Sequence, residues 1–544
     1  MFQHEDRFDV TVVGAGPTGL LLALELARHG AHPRVLERAS APSSHSKACV
    51  IWPRAAELLR AAGVLDALSA EAEPLNAIRI EAYGRQLGRL ELAADADTPA
   101  PGALLVGQER TERVLAAALA DAGVTIERGC EVTGVTQTED EVTATLADGR
   151  QVRSRYLVGC DGASSAVRDA LGIAYEGRSY AKHKLLQADA DMRASFPRRT
   201  GEVRFWLHDD GFLGCLPMPG GATRLFALVP DDDPSDDRAP TLEEMRDHAA
   251  WVTDDQNIEL SAPRWLSHAR FQHRRAARFR LGRCFLAGDA ARIVPPILGQ
   301  GMNTGLQDAA NLAFKLAWVV RGRAPQPLLD SYAAEREQIA DLVVRRTDVA
   351  YRHLSEPSVL QRFVARHAGR ALAELEHVQE AAREMLTGLA YRYEHSEALD
   401  HDGGRDRLVG ARAPDALLVD GSLRPCWVHD AVEGDHVTAL LFCGPRREML
   451  GAARGALQAL VEQPGVRAQI VIGWSPAAEE VGDDLLVDYD GAARAAYRAD
   501  CGDILVIRPD GHVGHRGSID EPGRTSRYLA RLLAGSPVGA ARAA

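Results

Sequence analysis

The pattern of apolar and polar positions at the start of the chain predicts a strand, a tight turn and a helix. Residues 8–13, FDVTVV, are a short β-branched run typical of a buried parallel strand. Residues 17–29 have helical character, with a proline in the first turn and a glycine just past the end. A second strand is predicted over residues 33–36. This order opens a parallel sheet that is covered by helices.

The same order recurs twice along the chain. Residues 156–159 predict a strand and residues 164–171 a helix, with an Asp-Gly turn between them. A buried strand is predicted again over residues 283–287, before Gly288 and Asp289. Apolar residues then fall at helical spacing, at positions 302, 306, 309, 313, 316 and 320.

Elsewhere the pattern differs. Residues 180–230 contain four alternating segments separated by glycine and proline turns, which predicts an antiparallel sheet. Residues 328–398 are charged and helical in pattern, and residues 395–414 are typical of a linker. The rest of the chain alternates strands with helices.

Length and composition narrow the class of protein. A chain of 544 residues predicts about three structural units, and contents of 46% hydrophobic and 26% charged residues are those of a globular protein. The net charge of -13 argues against a nucleic-acid partner. We expect no membrane span, and the absence of a signal-peptide pattern favours a cytoplasmic protein. The eight cysteines show neither CxxC nor metal spacing, so we expect reduced thiols and no metal.

Residues 14–19, GAGPTG, follow the glycine pattern of a dinucleotide-binding turn. Gly14 permits the tight turn, Gly16 lets the backbone approach a pyrophosphate, and Gly19 allows close helix–strand packing. The helix that begins with Pro17 and Thr18 offers free N–H groups and a positive dipole end to that pyrophosphate.

The acid at the end of the second strand indicates the nucleotide. Glu37, followed by Arg38, can accept hydrogen bonds from the hydroxyls of a ribose with a free 2′-OH, as in FAD or NAD. The glycine turn alone does not separate these two cofactors.

The later motifs favour a flavin. Asp289, at a strand end, can hold a polyol hydroxyl. Gly299, Gly301, Met302 and Asn303 are predicted to present backbone N–H groups at a helix N-terminus. Because a reduced flavin is anionic at its pyrimidine edge, such a helix end stabilises the reduced cofactor.

Three ordered motifs carry a family resemblance: residues 14–19 with Glu37, the segment CDGASSAVR at residues 160–168, and GDAARIVPPILGQGMN at residues 288–303. Together they resemble the single-component FAD aromatic hydroxylases, the class of para-hydroxybenzoate hydroxylase, phenol hydroxylase and the aromatic polyketide hydroxylases. The resemblance implies that NADPH or NADH reduces FAD. Dioxygen then adds at the flavin C4a carbon, and the hydroperoxide delivers one oxygen atom to an electron-rich ring. Because no second GxGxxG follows a strand, we expect NAD(P)H to visit a groove on the FAD domain.

The resemblance also implies roles for single residues. Gln108 matches a glutamine that touches the flavin, Asp161 lies in the motif near the pyrophosphate, and Pro296 matches a proline whose carbonyl faces substrate. Lys47 stands where the family usually has an arginine that meets phosphates, and lysine lacks the bidentate fork. Arg292 stands where relatives often have histidine. No general base is assigned; the polar candidates are His45, His183, His208 and His268.

The implied fold class is α/β: a Rossmann-type FAD domain with an antiparallel-sheet substrate domain, plus a C-terminal thioredoxin-like α/β domain. The predicted segments are 1–175 and 276–395 for the FAD domain, 176–275 for the substrate sheet, and 405–540 for the C-terminal domain, which lacks CxxC. Residues predicted to line the cavity, with about half facing away because strands alternate, are Phe205, Trp206, Phe212, Leu213, Cys215, Leu216 and Met218.

The interpretation is an FAD- and NAD(P)H-dependent monooxygenase that acts, as a monomer or homodimer, on a small aromatic substrate with O2. We expect that substrate to be a bulky phenol or quinone, possibly a polyketide or antibiotic. The alternatives are another flavin oxidoreductase on the same scaffold, such as a reductase or a Baeyer-Villiger-type oxygenase, and a catalytically silent FAD-binding protein. The WxWxIP motif of the flavin halogenases is absent from the sequence.

Overall fold

A computed structural model describes residues 8–43, 47–82, 84–92, 98, 100, 102–208, 211–233, 237–355, 371, 373, 375–400, 406–432, 434–477 and 480–533. The strands in chain order are β1 Phe8–Val13, β2 Pro33–Glu37, β3 Val50–Ile51, β4 Glu73–Leu75, β5 Ala77–Ala82, β6 Arg85–Glu91, β7 Ala103–Leu105, β8 Ile126–Arg128, β9 Val132–Gln137, β10 Val142–Leu146, β11 Gln151–Gly159, β12 Tyr175–Arg193, β13 Glu202–His208, β14 Gly211–Pro217, β15 Thr223–Pro230, β16 Glu259–Ala276, β17 Arg280–Leu281, β18 Cys284–Leu286, β19 Arg292–Ile293, β20 Leu417–Asp420, β21 Pro425–Trp427, β22 Val437–Gly444, β23 Val466–Ile472, β24 Leu485–Val487, β25 Asp503–Ile507 and β26 Val513–Ser518. The α-helices are α1 Pro17–Arg28, α2 Pro53–Ala61, α3 Leu65–Ser69, α4 Gln108–Asp121, α5 Ala166–Ala170, α6 Leu242–Thr253, α7 Gln300–Val320, α8 Asp330–Ser355, α9 Glu376–Thr387, α10 Val428–Val432, α11 Leu450–Val461, α12 Ala492–Ala496 and α13 Pro522–Leu533.

The first sheet carries the glycine turn. Its main path is β17-β18-β11-β1-β2-β8, and β1 runs parallel to both β2 and β11. Strand β1 has the predicted bounds because its apolar side chains are buried between helices, and α1 begins at Pro17, directly after the turn. Helices α1 and α7 pack against each other, and their buried faces join the largest apolar cluster.

The second sheet has the order β19-β16-β12-β15-β14-β13-β5-β6. It is antiparallel except where β13 runs parallel to β5. The four predicted strands of residues 180–230 are present as β12 to β15. Strands β5 and β6 come from the segment predicted as the first part of the FAD domain, so sheet and segment do not share a boundary.

The two faces of this sheet divide the residues predicted to line a cavity. Trp206, Leu213 and Cys215 pack with Met245 and Ala249 of α6 on one face. The opposite face carries Phe205, Phe212, Leu216 and Met218. Strand alternation therefore separates the set as expected.

The third sheet lies within residues 417–518, with the order β21-β20-β24-β23-β22-β25-β26. Its centre is mixed: β22 is parallel to β23 and antiparallel to β25. Helices α10 and α12 pack on one face, and α11 and α13 pack on the other. The α/β fold class with several sheets is confirmed; the likeness of this unit to thioredoxin stays a prediction.

The end of the predicted helical region differs from the sequence pattern. The helical prediction for residues 328–398 holds for α8 and α9, but α9 ends at Gly388, whose φ of +72° is left-handed. Residues 390–400 then run as irregular chain that buries Tyr391 and Tyr393. None of the helices in the described part of the chain combines the length and hydropathy of a membrane-spanning segment.

Candidate functional site

The three glycines of the first turn have the three expected geometries. Gly14 has a φ of +105°, and a Cβ there would lie 2.4 Å from the carbonyl oxygen of Cys160. A Cβ on Gly19 would lie 2.0 Å from the carbonyl oxygen of Gly14, so that glycine permits helix–strand packing. A Cβ on Gly16 would meet nothing within 4 Å. The space beside Gly16 is therefore open to a ligand.

Glu37 is fixed beside this space. Its carboxylate accepts hydrogen bonds from the backbone N–H groups of Ala15 and Ala39, each at 2.8 Å. Each oxygen keeps acceptor capacity, which suits ribose hydroxyls. Arg38, the next residue, is exposed.

Pro17 and Thr18 begin α1 in different ways. Pro17 occupies the first helical position, where the missing N–H costs nothing. The Thr18 hydroxyl lies within 2.8 Å of where a Cβ on Gly288 or Gly305 would stand. Because those positions lack side chains, Thr18 packs α1 against α7 and the turn that holds Asp289.

The second turn holds Asp161 beside the glycine turn. Its Oδ2 accepts the backbone N–H of Val167 at 3.1 Å, and Ser165 caps α5. Its Oδ1 is buried and has no hydrogen-bond partner among the described residues. Burial raises the pKa of this carboxyl group. The site thus contains an unsatisfied acceptor that a ligand hydroxyl or an ordered water fits.

Asp289 lies in a one-turn 3-10 helix, Gly288–Ala290. The residue is open to solvent on one side. The protein around the carboxyl group raises its pKa by desolvation, and the positive charges of Arg292 and Lys47 lower that pKa in part. A Cβ on Gly301 would lie 3.9 Å from Asp289 Oδ1, so Asp289 and the start of α7 face one space. The Tyr175 hydroxyl donates to the Asp289 carbonyl at 2.8 Å.

The start of α7 corrects part of the expectation. Gly299, with a φ of +62°, is the N-cap, so Gly301 and Met302 lie at the second and third helical positions, whose N–H groups have no intrahelical partner. The N–H of Asn303 is instead the first that the helix itself uses. The Asn303 side chain is also occupied: it donates to the carbonyl of Val50 at 2.9 Å and to that of Gly299 at 2.7 Å. Its oxygen accepts a further N–H, from the backbone of Trp52, so Asn303 joins two elements rather than facing a ligand.

Pro296 begins the turn Pro296–Leu298, just before α7. The proline is exposed, and its carbonyl accepts the Gly299 N–H at 3.4 Å, a long contact that leaves the oxygen able to accept another donor. Trp52 Nε1 donates to the Leu298 carbonyl at 3.0 Å.

Lys47 and Gln108 belong to one arrangement. Gln108 begins α4; its Oε1 accepts the Ala48 N–H at 3.2 Å, and its Nε2 donates to Glu112 at 2.8 Å. Lys47 is exposed and close enough to Asp289 to lower the pKa of that carboxyl group. The segment that carries Lys47 is thus held at the edge of the same space.

Sequence reasoning missed Arg224. This fully buried side chain on β15 donates through Nε to Asp189 at 2.6 Å, and its Nη2 meets the second oxygen of that carboxylate. Its Nη1 lies 3.5 Å from the Lys47 carbonyl. Arg224 therefore links the substrate-side sheet to the segment of Lys47. The only signal in the sequence was a charged residue inside a strand that is otherwise apolar.

Arg292 is buried in a network of charged groups. Its Nη1 donates to Asp308 at 2.6 Å, and Arg336 donates to the other oxygen of Asp308 at 2.7 Å. Asp308 also accepts the Gly288 N–H at 3.0 Å, which fixes the turn before Asp289. Arg292 thus stabilises the turn, a role that its position in the motif did not predict.

The substrate-side sheet meets these turns at an apolar junction. Trp52, Leu216 and Met218 pack in one cluster with Leu298, Phe205 and Phe226. The histidines considered as bases have partners elsewhere: His183 contacts Tyr351, the His208 ring contacts the Trp251 ring, and His268 lies near Asp237. His45 lies outside the described residues.

A mainly parallel sheet with a glycine turn, two further turns at its strand ends and an apolar second sheet beside them have the geometry expected of an FAD-dependent oxidoreductase. Residues 7–347 match the family model described as an FAD binding domain. The chain is 37% identical over 425 residues to the rifampicin monooxygenase of Streptomyces venezuelae. The alignment covers 76% of this chain and 84% of that protein. It is 33% identical over 528 residues to the 12-dehydrotetracycline 5-monooxygenase/anhydrotetracycline 6-monooxygenase of Streptomyces rimosus subsp. rimosus, covering 93% and 95% of the two chains. The crystal structure of aklavinone-11 hydroxylase in a ternary complex with FAD and aklavinone matches with a TM-score of 0.76 at 29% identity, covering 98% and 100%.

The chain belongs to the family of FAD-dependent aromatic monooxygenases, which confirms the resemblance drawn from its motifs. It is an enzyme, and its cofactor is FAD.

Proposed function

We propose that this enzyme hydroxylates a bulky polycyclic phenol or quinone of the polyketide or antibiotic type, with NADPH or NADH as the source of electrons. The observation that carries the proposal is the junction of the two sheets. There Leu298, next to the start of α7, packs in one cluster with Phe205 and Phe226 of the substrate-side sheet. A large aromatic face beside the flavin turns suits a large, flat substrate.

The names of the relatives point the same way. Rifampicin, anhydrotetracycline and aklavinone appear in the names of three proteins similar to this chain. We extend that class of substrate, rather than any one of those compounds, to this enzyme.

In this proposal the first turn holds the adenosine end of FAD. The backbone at Gly16 faces the pyrophosphate, because the space beside it is open, and α1 directs its N-terminus there. Glu37 accepts hydrogen bonds from the ribose hydroxyls. Arg38, exposed after Glu37, and Asp161, with its unsatisfied oxygen, flank the nucleotide.

The later turns hold the other end of FAD. Asp289 accepts a hydrogen bond from a hydroxyl of the ribityl chain. The free N–H groups of Gly301 and Met302 point to the pyrimidine edge of the flavin. Gln108 lies at the flavin edge, and Lys47 supplies a positive charge for phosphate. The Pro296 carbonyl faces the substrate.

Bound FAD would supply the hydride acceptor for NAD(P)H and the activation of dioxygen, while Gly16, Glu37 and Asp289 would hold it in place. The chain supplies orientation and exclusion of water, because the walls at the junction are apolar. No side chain is assigned as a general base.

Turnover under air with a graded panel tests the proposal. Purified enzyme with FAD and NAD(P)H is given monocyclic phenols, naphthols and polycyclic hydroxyquinones, and products are identified by mass spectrometry. We expect the polycyclic compounds to stimulate NAD(P)H consumption and to gain one oxygen. Stimulation by monocyclic phenols alone would refute the bulky-substrate proposal. A reduced or ring-expanded product would favour the reductase or Baeyer-Villiger alternative, and a lack of turnover with every aromatic would favour the silent protein.

Two further properties belong to the proposal. We place the enzyme in the cytoplasm, where NAD(P)H is available, and the eight free cysteines are compatible with a reducing compartment. We expect a monomer or homodimer in which each chain holds a complete site, because both flavin turns and the substrate-side sheet come from one chain.

A further inference from the structure

A cavity lies on the face of the substrate-side sheet that packs against α6. It has a volume of about 410 Å³ and lies between α6 and strands β12 and β15. Leu186 of β12 lines it and belongs to the cluster that packs on α6. The neighbouring Leu185 packs instead with Phe212 and Phe271 on the other face. The sheet therefore separates this cavity from the aromatic face beside the flavin turns.

The walls of the cavity combine apolar and aromatic surface. Leu186, Val229 and Pro240 supply the apolar part. The Trp251 ring of α6 contacts the His208 ring in a tilted arrangement, with the centroids 4.0 Å apart, yet 46% of Trp251 remains exposed. A tryptophan in this state offers a flat apolar surface to an aromatic ligand.

The charged residues at the cavity already have partners of opposite sign. Arg238 donates to both oxygens of Glu244, at 2.9 and 2.6 Å, and Lys184 lies 3.8 Å from Asp231. Asp247 accepts from Arg246 at 2.7 Å. Because this rim is balanced, it favours an uncharged ligand over an ion.

His248 supplies a hydrogen-bond acceptor with no partner. Its Nε2 is buried and unsatisfied among the described residues. Burial lowers the pKa of the ring, which favours the neutral imidazole. A neutral imidazole has one acceptor nitrogen, and an O–H group fits Nε2 in that role.

We propose that this cavity binds an uncharged aromatic molecule carrying a phenolic hydroxyl, separately from the site of hydroxylation. The ring lies against Trp251, and the hydroxyl donates to His248 Nε2. Strand β14 has residues on both faces, because Leu213 packs with α6 and Phe212 packs its ring on the opposite side. The proposal concerns a second site and holds whichever aromatic compound is hydroxylated.

Binding of 2-naphthol to the FAD-loaded enzyme tests this site. Calorimetry counts all binding, while the flavin absorbance spectrum reports binding beside the flavin. We expect a component that calorimetry detects and the flavin spectrum does not. It should weaken about tenfold for 2-methoxynaphthalene, which lacks the donor hydrogen.

Three variants assign that component. His248→Leu removes the acceptor and Trp251→Ala the aromatic surface, so each should weaken it about tenfold. Tyr489→Ala removes an aromatic residue that is 53% exposed in the C-terminal region, and it should leave binding unchanged. If His248→Leu fails to fold, Trp251→Ala still decides, because that side chain is half exposed.

The proposal is overturned if no flavin-silent component exists, if Trp251→Ala binds 2-naphthol as the wild type does, or if the methyl ether binds equally well. Turnover is measured in the same samples. Loss of the proposed hydroxylation with the silent component retained would reject the function and keep the site.

Discussion

Replacing Gly16 with alanine separates cofactor binding from folding. Gly16 has a φ of -77°, which alanine adopts freely, and the added methyl group meets no protein atom within 4 Å. As the N-cap of α1, the alanine costs about 0.5–1 kcal/mol, partly offset by a less flexible unfolded chain. The methyl group does occupy the space where the pyrophosphate approaches. Losing one or two charged hydrogen bonds, at about 1.5–3 kcal/mol each, weakens FAD binding at least tenfold.

The assay is thermal unfolding of apoprotein with and without FAD, together with titration of FAD fluorescence. FAD at 100 times its wild-type Kd stabilises the wild type by about 2.7 kcal/mol, and a 100-fold weaker variant by only about 0.4 kcal/mol. Gly455→Ala is the matched control, because its added methyl group is also unopposed but lies on α11, in the C-terminal unit. Wild-type FAD affinity in Gly16→Ala would refute the placement of the pyrophosphate. If the Gly16→Ala apoprotein does not fold, the space beside Gly16 is not open as described.

Three other substitutions give distinct results. Asp289→Ala should weaken FAD binding by about 10- to 100-fold, through loss of an acceptor for the ribityl chain, and a variant purified with full flavin would contradict this. Arg224→Lys keeps the positive charge but loses the two parallel hydrogen bonds to Asp189. It should lower the free energy of unfolding by about 1–3 kcal/mol and slow flavin reduction by NAD(P)H. Stopped-flow reduction at the wild-type rate would show that the position of the Lys47 segment does not depend on Arg224. Glu57, buried between Arg412 and Arg54, has a pKa held below its ordinary 4.5 by these partners, against burial, so its contribution to stability is present above about pH 4.5 and is lost as the pH falls below it. Glu57→Gln should therefore cost about 3–5 kcal/mol at pH 7 and show a shallower fall of Tm below pH 5, whereas an acid profile parallel to that of the wild type would count against the ion pair.

The parts of the fold that local pattern determines were predictable. Residues 8–13 are β-branched and lie before a glycine turn, so strand β1 and helix α1 follow from neighbours in sequence. Gly19 packs closely against Gly14 of the same turn, as the glycine pattern predicts, and Gly16 leaves open space. The motifs were specific enough to identify the family before any coordinates.

The features that could not be predicted from the sequence depend on contacts between residues far apart in the chain. Strands β5 and β6 join the substrate-side sheet through pairing with β13, more than a hundred positions later. Asn303 was predicted as a ligand group because its place in the motif suggested it, yet its amide is occupied by Val50 and Trp52. No sequence pattern predicts that Val50 and Trp52 occupy the Asn303 amide.

The buried charges make the same point. Lys315 of α7 and Glu335 of α8 are 2.7 Å apart, and Arg508 of the C-terminal unit donates to both oxygens of Glu335, at 2.6 and 2.9 Å. Burial lowers the pKa of Lys315 to about 8. A single buried charge is costly, so all three must assemble together, and only the tertiary structure shows that they do.

The central claim is that the enzyme inserts an oxygen atom from dioxygen into a bulky aromatic compound at an FAD site. The most direct measurement is turnover of a polycyclic hydroxyquinone with NAD(P)H under isotopically heavy dioxygen, followed by mass spectrometry of the product. We expect one heavy oxygen atom per product molecule, with NAD(P)H consumption that rises when the aromatic compound is added. A product without heavy oxygen, or NAD(P)H consumption that no aromatic compound changes, would contradict it.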